Sequence, residues 1–259
     1  MTVPLIGLAP GSGFEVRSRR DLDTYLGAVA DAGFDAVSLS LDQLAGDPAS
    51  AAALLGTHGL RCTDMLSLRI TRDEDETMAA AQALAPAVDA LGAEHVNALF
   101  WTRLTAESLD RLGRCAEVTG AAMALEFGLG GAADTVAAAD TFVDALGIER
   151  VGVLADTFHF SRGESTWAML ESIPLGHLPI VQFNDALPAV SADYMAETTD
   201  RRTWPGQGEF ELTRFASTLL DRGWDGIVSV EVLSGELRRL PVGEFATLAY
   251  ETTAPYWTR

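Results

Sequence analysis

The sequence predicts an α/β fold, a single (β/α)8 TIM barrel over residues 1–259, and three observations predict it. Short apolar β-runs alternate with Ala- and Leu-rich helices along the whole chain. A glycine recurs where a helix ends and the next run begins, the place where a left-handed cap turns the chain back. Eight runs result, the number that closes a parallel sheet on itself.

The elements follow in order. The first run lies near Val3–Leu8 and its helix near Asp21–Ala32. Gly33-Phe-Asp-Ala-Val37 with Pro48–Thr57 makes the second unit, and Gly59-Leu-Arg-Cys62 with Asp73–Ala90 the third. Gly92-Ala-Glu-His-Val96 precedes a helix near Ala106–Val118, and Gly120-Ala-Ala-Met-Ala-Leu125 one near Ala133–Leu146. Gly147-Ile-Glu-Arg-Val151 with Ser165–Glu171 is the sixth unit. Pro179–Phe183 is the seventh run, followed by the long connection Asp185–Glu209 and a helix near Leu212–Arg222. That connection is too long for a mere link and reads as an active-site loop. Gly223-Trp-Asp-Gly-Ile-Val228 and Val242–Thr252 complete the chain. An open doubly wound sheet would need a phosphate-binding turn leading into a helix after the first run. Ala9-Pro-Gly-Ser-Gly-Phe14 has no helix start at the right place.

Composition removes several classes of function. A barrel of 259 residues with 48% hydrophobic and 21% charged residues buries about 70–75% of its unfolded surface. No apolar run approaches the roughly 18 residues of a membrane span, and no signal-type segment precedes the first β-run. A cytoplasmic protein without membrane contact is therefore expected. A net charge of −19 repels phosphate backbones, so no nucleic-acid partner is expected. All eighteen basic residues are Arg. Without lysine there is no Schiff base, no pyridoxal phosphate anchor and no Walker lysine, which leaves a metal or hydrogen bonds to stabilise any carbanion. Cys62 and Cys115 show neither zinc-like spacing nor a disulfide framework, and Cys62 reads as a core residue.

The chemistry concentrates in the second half. Met123-Ala-Leu-Glu126, Val153-Leu-Ala-Asp156, Ile180-Val-Gln182 and Val228-Ser-Val-Glu231 are apolar runs that each close on an oxygen-bearing side chain. Parallel barrel strands point their C-terminal ends to one face, so these four ends converge. Three carboxylates and an amide oxygen make a hard donor set, suited to one divalent ion, Mn²⁺ or Mg²⁺. With the ion the set carries about −1, which suits a neutral keto-sugar or cyclitol better than an anion. His159, three residues after Asp156, lies just beyond its strand, within reach of a substrate oxygen. Arg201 and Arg202 offer a guanidinium fork to a substrate hydroxyl or a ligand carboxylate. Trp101 and Trp204 are candidates to wall the pocket. His58, His95 and His177 fall at helix ends or strand starts and receive no role. No Gly-rich phosphate nest follows the seventh or eighth run, which leans toward an unphosphorylated substrate.

Ala-Leu-Glu126-Phe, Val-Leu-Ala-Asp156-Thr-Phe-His159-Phe, Asn184-Asp185, Arg202-Thr-Trp-Pro-Gly-Gln-Gly and Val-Ser-Val-Glu231 occur in that order over much of the chain. In order and spacing they resemble the xylose isomerase-like TIM-barrel family of sugar isomerases, epimerases and related lyases, most nearly its inosose (2-keto-myo-inositol) isomerase branch. The resemblance implies metal ligands at Glu126, Asp156, Gln182 and Glu231, and substrate contacts at His159 and Arg202; Trp101 and Asp185 are further candidate substrate contacts. The inosose branch has His at the position of Gln182, whereas the hydroxypyruvate isomerase branch has Gln there. An acid common at the end of the second strand is replaced by Ser38 or Ser40. The family's endonuclease branch needs more than this chain's four histidines.

The expected reaction is proton transfer α to a carbonyl, giving isomerisation or epimerisation. The metal acts as Lewis acid toward an enediolate, with Glu126 and Glu231 as acid and base on opposite faces and His159 polarising the oxygen that gains charge. The alternative on the same site is a lyase, of the inosose or dehydroshikimate dehydratase type or cleaving keto-C-glycosides. A non-catalytic sugar-binding barrel is the reading from another class, favoured only by Gln182. The Trp-Pro-Gly loop and Pro255-Tyr-Trp-Thr258 are candidate contacts of a homo-oligomer.

Overall fold

The structure, a computed structural model, describes residues 3–11, 13–100, 105–128 and 131–258. Eight parallel strands close the barrel: β1 (Leu5–Leu8), β2 (Ala36–Ser40), β3 (Arg61–Ile70), β4 (His95–Phe100), β5 (Ala122–Glu126), β6 (Val151–Asp156), β7 (Ile180–Phe183) and, last in the chain, β10 (Ile227–Val230). β10 pairs with both β7 and β1, with Leu5 opposite Ile227, and so shuts the ring. Between β7 and β10, a two-stranded antiparallel ribbon joins β8 (Asp185–Ala186) to β9 (Arg202–Thr203).

Helices cover the outside: α1 (Arg19–Asp31), α2 (Pro48–His58), α3 (Glu74–Leu91), α4 (Ala106–Thr119) and α5 (Val136–Leu146). They are followed by α6 (Thr157–Arg162), α7 (Trp167–Ser172), α8 (Tyr194–Asp200), α9 (Leu212–Leu220) and α10 (Val242–Trp257). Their starts are set by side-chain caps. Ser18, Asp47, Asp73, Thr105 and Thr135 each accept the backbone N–H three residues on, satisfying a donor that the first turn leaves free. Gly92 and Gly120 end α3 and α4 at φ 64° and 75°, the left-handed conformation expected of them.

The barrel interior is small. Ala124, Leu154, Ile180 and Ile227, one from each of β5, β6, β7 and β10, pack as their own cluster. The larger core lies between barrel and helices. There the aromatic end of the chain is taken up: Trp257 is fully buried, with its ring centroid 5.2 Å from Phe183 and 5.4 Å from Trp224.

Five elements depart from the sequence expectation, two of them the strands of the β8–β9 ribbon, which fall in a stretch read as a loop. β3 runs to Ile70 rather than stopping near Cys62, and its pairing with β4 shifts register between Met65 and Leu68. Six-residue α6 and seven-residue α8 were both unexpected. Neither helix is long enough to display a hydrophobic period.

Candidate metal centre and cavity

Side chains at i and i+2 of a strand share a face. Glu126, Asp156 and Gln182 therefore project with Ala124, Leu154 and Ile180, and Glu231 projects with Ile227 four residues before it. Those four apolar residues fill the inside of the barrel, so the oxygen-bearing residues stand on top of them at the C-terminal mouth. The register agrees. Asp156 is paired with Gln182, and Glu231 N–H donates to Phe183 O at 3.3 Å, carrying the ladder one residue past β10.

Arg202 ties the centre together from β9. Its Nη1 donates to Asp156 Oδ2 at 2.7 Å and to Glu231 Oε2 at 3.0 Å. Its Nε and Nη2 donate to the carbonyl and hydroxyl of Thr198 at 2.8 and 2.9 Å, and the guanidinium lies 5.1 Å over the Phe158 ring. Of its two expected partners, the structure thus gives Arg202 the carboxylates of two ligand candidates. Gln182 Nε2 donates to Glu231 Oε1 at 3.0 Å. Asp156 also caps α6, its Oδ1 accepting Phe158 N–H at 2.6 Å and Asn184 Nδ2 at 3.0 Å. That cap turns His159 inward: its Nε2 is 2.9 Å from Glu126 Oε1 and 4.0 Å from Asp156 Oδ2, and its Nδ1 meets the Tyr194 hydroxyl.

Two buried carboxylates and the partly buried Glu126 face one guanidinium, and the excess negative charge sets the titration. Burial, with Glu126 and Asp156 close by, pushes the Glu231 carboxyl up to about 8 despite Arg202. Burial acts to raise Asp156 too, but Arg202, His159 and two donors hold it below its ordinary value. For His159 burial acts to lower the value, and Asp156 and Glu126 outweigh it, so the ring sits above the usual histidine range.

The residues fit a divalent cation. Ligand atoms of Glu126, Asp156 and His159 lie within 4.8 Å of one another. Gln182 Oε1 is buried with no hydrogen-bond partner among the described residues. An orphaned acceptor beside surplus buried negative charge is resolved by a cation, and the carboxylate-rich set suits a hard one.

Beside the centre opens a cavity of 490 Å³, walled by Glu126, His159, Glu231 and Arg202 and, from α8, by Tyr194 and Thr198. Buried Glu197 pins α8, accepting Val190 and Ser191 N–H at 3.1 and 3.0 Å and Arg201 Nε at 3.0 Å. Other expected residues are placed elsewhere. Asp185 is buried away from the cavity lining, and its carboxylate accepts N–H groups of Ala186, Gly206, Gly208 and Phe210 at 2.9–3.1 Å. Trp204 is 3% exposed and packs on Phe245 rather than lining the pocket. Trp101 lies outside the described residues. Ser38 sits inside the barrel, donating to Asp64 Oδ1 at 2.7 Å, and Ser40 takes part in a turn with Gln43. Tyr194, Thr198 and Asn97 line the cavity and were not singled out from sequence. Asn97 alone left a trace there, as a polar residue interrupting the apolar run His95-Val-Asn-Ala-Leu-Phe100.

A family model described as xylose isomerase-like TIM barrel matches residues 26–246. The chain belongs to this family. An inosose isomerase of Halalkalibacterium halodurans is 31% identical over 150 residues, covering 56% of this chain and 51% of that protein. The chain thus spans about half the length of the curated inosose isomerases it matches. A 3-dehydroshikimate dehydratase of Pseudomonas putida is 29% identical over 96 residues, 37% of this chain and 15% of that enzyme. A crystal structure of the IolI protein with a bound zinc atom superposes with a TM-score of 0.83 at 22% identity, covering 99% of this chain and 98% of that one. Among the described residues no helix is long and apolar enough to cross a membrane.

Proposed function

We propose that the protein is a divalent-metal-dependent isomerase or epimerase of a keto-sugar or inosose, working by proton transfer α to a carbonyl. One observation carries the reading: Glu126, Asp156, Gln182 and Glu231 share the mouth of one barrel, with Glu126 and Glu231 both opening into a 490 Å³ cavity. The named inosose isomerase relatives support the substrate class.

Glu126, Asp156, Gln182 and Glu231 would hold one Mn²⁺ or Mg²⁺, and His159 stands near enough to join them or to meet a substrate oxygen. When bound, the ion would supply Lewis acidity that makes a hydrogen beside the carbonyl removable. Glu126 and Glu231 stand on strands separated by β6 and β7, so a substrate between them presents a different side to each. One carboxylate takes the proton and the other, or the same one, returns it. Return to the neighbouring carbon isomerises; return from the opposite side to the same carbon epimerises. Arg202 holds Asp156 and Glu231 in place through Nη1, and its second Nη2 hydrogen, on a residue that lines the cavity, is left for a substrate oxygen. His159 presents Nε2 from the Glu126 side, where a substrate oxygen gaining charge would take the place of the Glu126 carboxylate as its partner.

The test is metal content of the purified protein, followed by loss of the α-hydrogen NMR signal in D₂O with inososes, ketohexoses and hydroxypyruvate. About one Mn²⁺ or Mg²⁺ per chain and metal-dependent exchange are expected. Glu231→Gln should lower the exchange rate at least about 10³-fold, the scale of a lost general base at its upper end. Full exchange in that variant would remove Glu231 from the chemistry, and no metal with no exchange would favour a non-catalytic sugar-binding barrel. A lyase is the second reading, favoured by the dehydroshikimate dehydratase relative. New ultraviolet absorbance from a conjugated enone would establish it in place of the isomerase.

A further inference from the structure

Asn97 is an anomaly in the barrel interior. It is 2% exposed on β4, its Oδ1 is buried without a partner among the described residues, and it lines the cavity. Its height follows from register. Leu99 pairs with Glu126 and Asn97 pairs with Ala124, so Asn97 lies one side-chain period deeper than Glu126, on the cavity floor. The neighbouring inward position on β5 is apolar, and an apolar residue would serve packing at position 97 equally well. An amide left unpaired there costs about 1–3 kcal/mol unless something arrives to meet it.

We propose that Asn97 is a substrate-binding, specificity-determining residue that takes a hydroxyl of the polyol at the cavity floor, remote from the carbons between Glu126 and Glu231. A hydroxyl both donates and accepts, so it satisfies the amide through either end. A carboxylate or phosphate oxygen only accepts, so it leaves the Asn97 Oδ1 acceptor unmet. The ligand class is therefore an uncharged polyhydroxylated ring or chain. Leu66, Leu99, Phe100 and Phe127 provide apolar wall for its C–H faces. This inference rests on the keto-sugar reading above and adds the group that selects among such sugars. A site built to bond a hydroxyl discriminates strongly against the analogue lacking it, because the protein group is then left unpaired.

The experiment compares wild type with Asn97→Leu, close in size and without polar atoms. It measures calorimetric binding of myo-inositol to the metal-loaded protein, KM and kcat for α-hydrogen exchange of the best keto-sugar, and thermal unfolding. The expected result is affinity weaker and KM higher by about tenfold, kcat nearly unchanged, and a melting temperature equal to or above that of wild type. Binding and KM equal to wild type overturn the assignment. So does a lowered melting temperature with binding intact, which makes Asn97 a structural residue. Should Asn97→Leu not fold, Asn97→Ala is read in the same way. A wild type that neither binds myo-inositol nor exchanges any keto-sugar overturns the sugar reading itself, and Asn97 with it. Failure of Asn97 alone leaves wild-type exchange in place.

Discussion

At the scale of single residues, the centre is governed by surplus negative charge in a dry place. Glu231 has a folded value of about 8 against an ordinary 4.5, because burial and two neighbouring acids disfavour its charge. Between those values the folded chain keeps a proton that the unfolded chain has lost. Stability therefore falls as pH rises through that window, reaching its full loss above it. Asp156, displaced the other way, contributes stability that is lost only as pH falls below its ordinary 3.8, outside the same window. In chelator-treated protein the melting temperature of wild type should drop by about 5 °C more than that of Glu231→Gln between about pH 5 and pH 8. Parallel pH profiles for the two proteins would show that Glu231 is not the titrating group. The four ligand candidates were legible because each ends an apolar run. Tyr194, Thr198 and Asn97 were not, because a polar residue on a seven-residue helix or inside a strand shows no direction until the packing and register are known.

At the scale of elements, the connection from β7 to β10 decides how the centre is assembled. It carries α8 and the ribbon of β8 and β9, and so delivers Tyr194 to His159 and Arg202 to the acids. Its latch is Asp185, read from sequence as a substrate contact but spent on four backbone N–H groups. Gly208 is part of the same latch, since a Cβ there would fall 2.2 Å from Asp185 Oδ1 and 2.3 Å from Ala186 O. Asp185→Ala should cost about 3 kcal/mol, measured by urea unfolding, because several buried donors lose a charged acceptor together. Exchange activity should fall with it through displacement of Arg202. A change below about 0.5 kcal/mol would mean that the connection holds its form without Asp185. The sequence marked this stretch as an active-site loop by its length, yet its two short strands and seven-residue helix lie below what periodicity resolves.

At the scale of the whole molecule, the charge of −19 is spread over a closed barrel and repels itself in the folded state. Raising NaCl from about 10 to about 200 mM shortens the screening length from roughly 30 Å to under 8 Å. The melting temperature should rise by a few degrees over that range. A flat response would mean that the many surface ion pairs, such as Arg61–Glu94 and Arg150–Glu117, already offset the repulsion locally. The xylose isomerase-like barrel itself was readable from the chain. Alternation of run and helix, with glycine at the junctions, leaves few architectures, because a parallel strand pair requires a crossover and eight units close the sheet.

The sequence by itself determined the barrel, the four strand ends that carry oxygen-bearing side chains and the exclusion of lysine chemistry, since periodicity, strand polarity and composition are local properties. Only the tertiary structure decided which of those groups meet. It turned Arg202 onto Asp156 and Glu231, drew His159 to Glu126, withdrew Asp185 and Trp204 from the cavity and put Asn97 on its floor. Those outcomes depend on strand register, on a six-residue helix capped by Asp156 and on a loop latched 21 residues downstream of Asp185. Contacts between residues far apart in the chain are fixed by packing, and no local pattern encodes them.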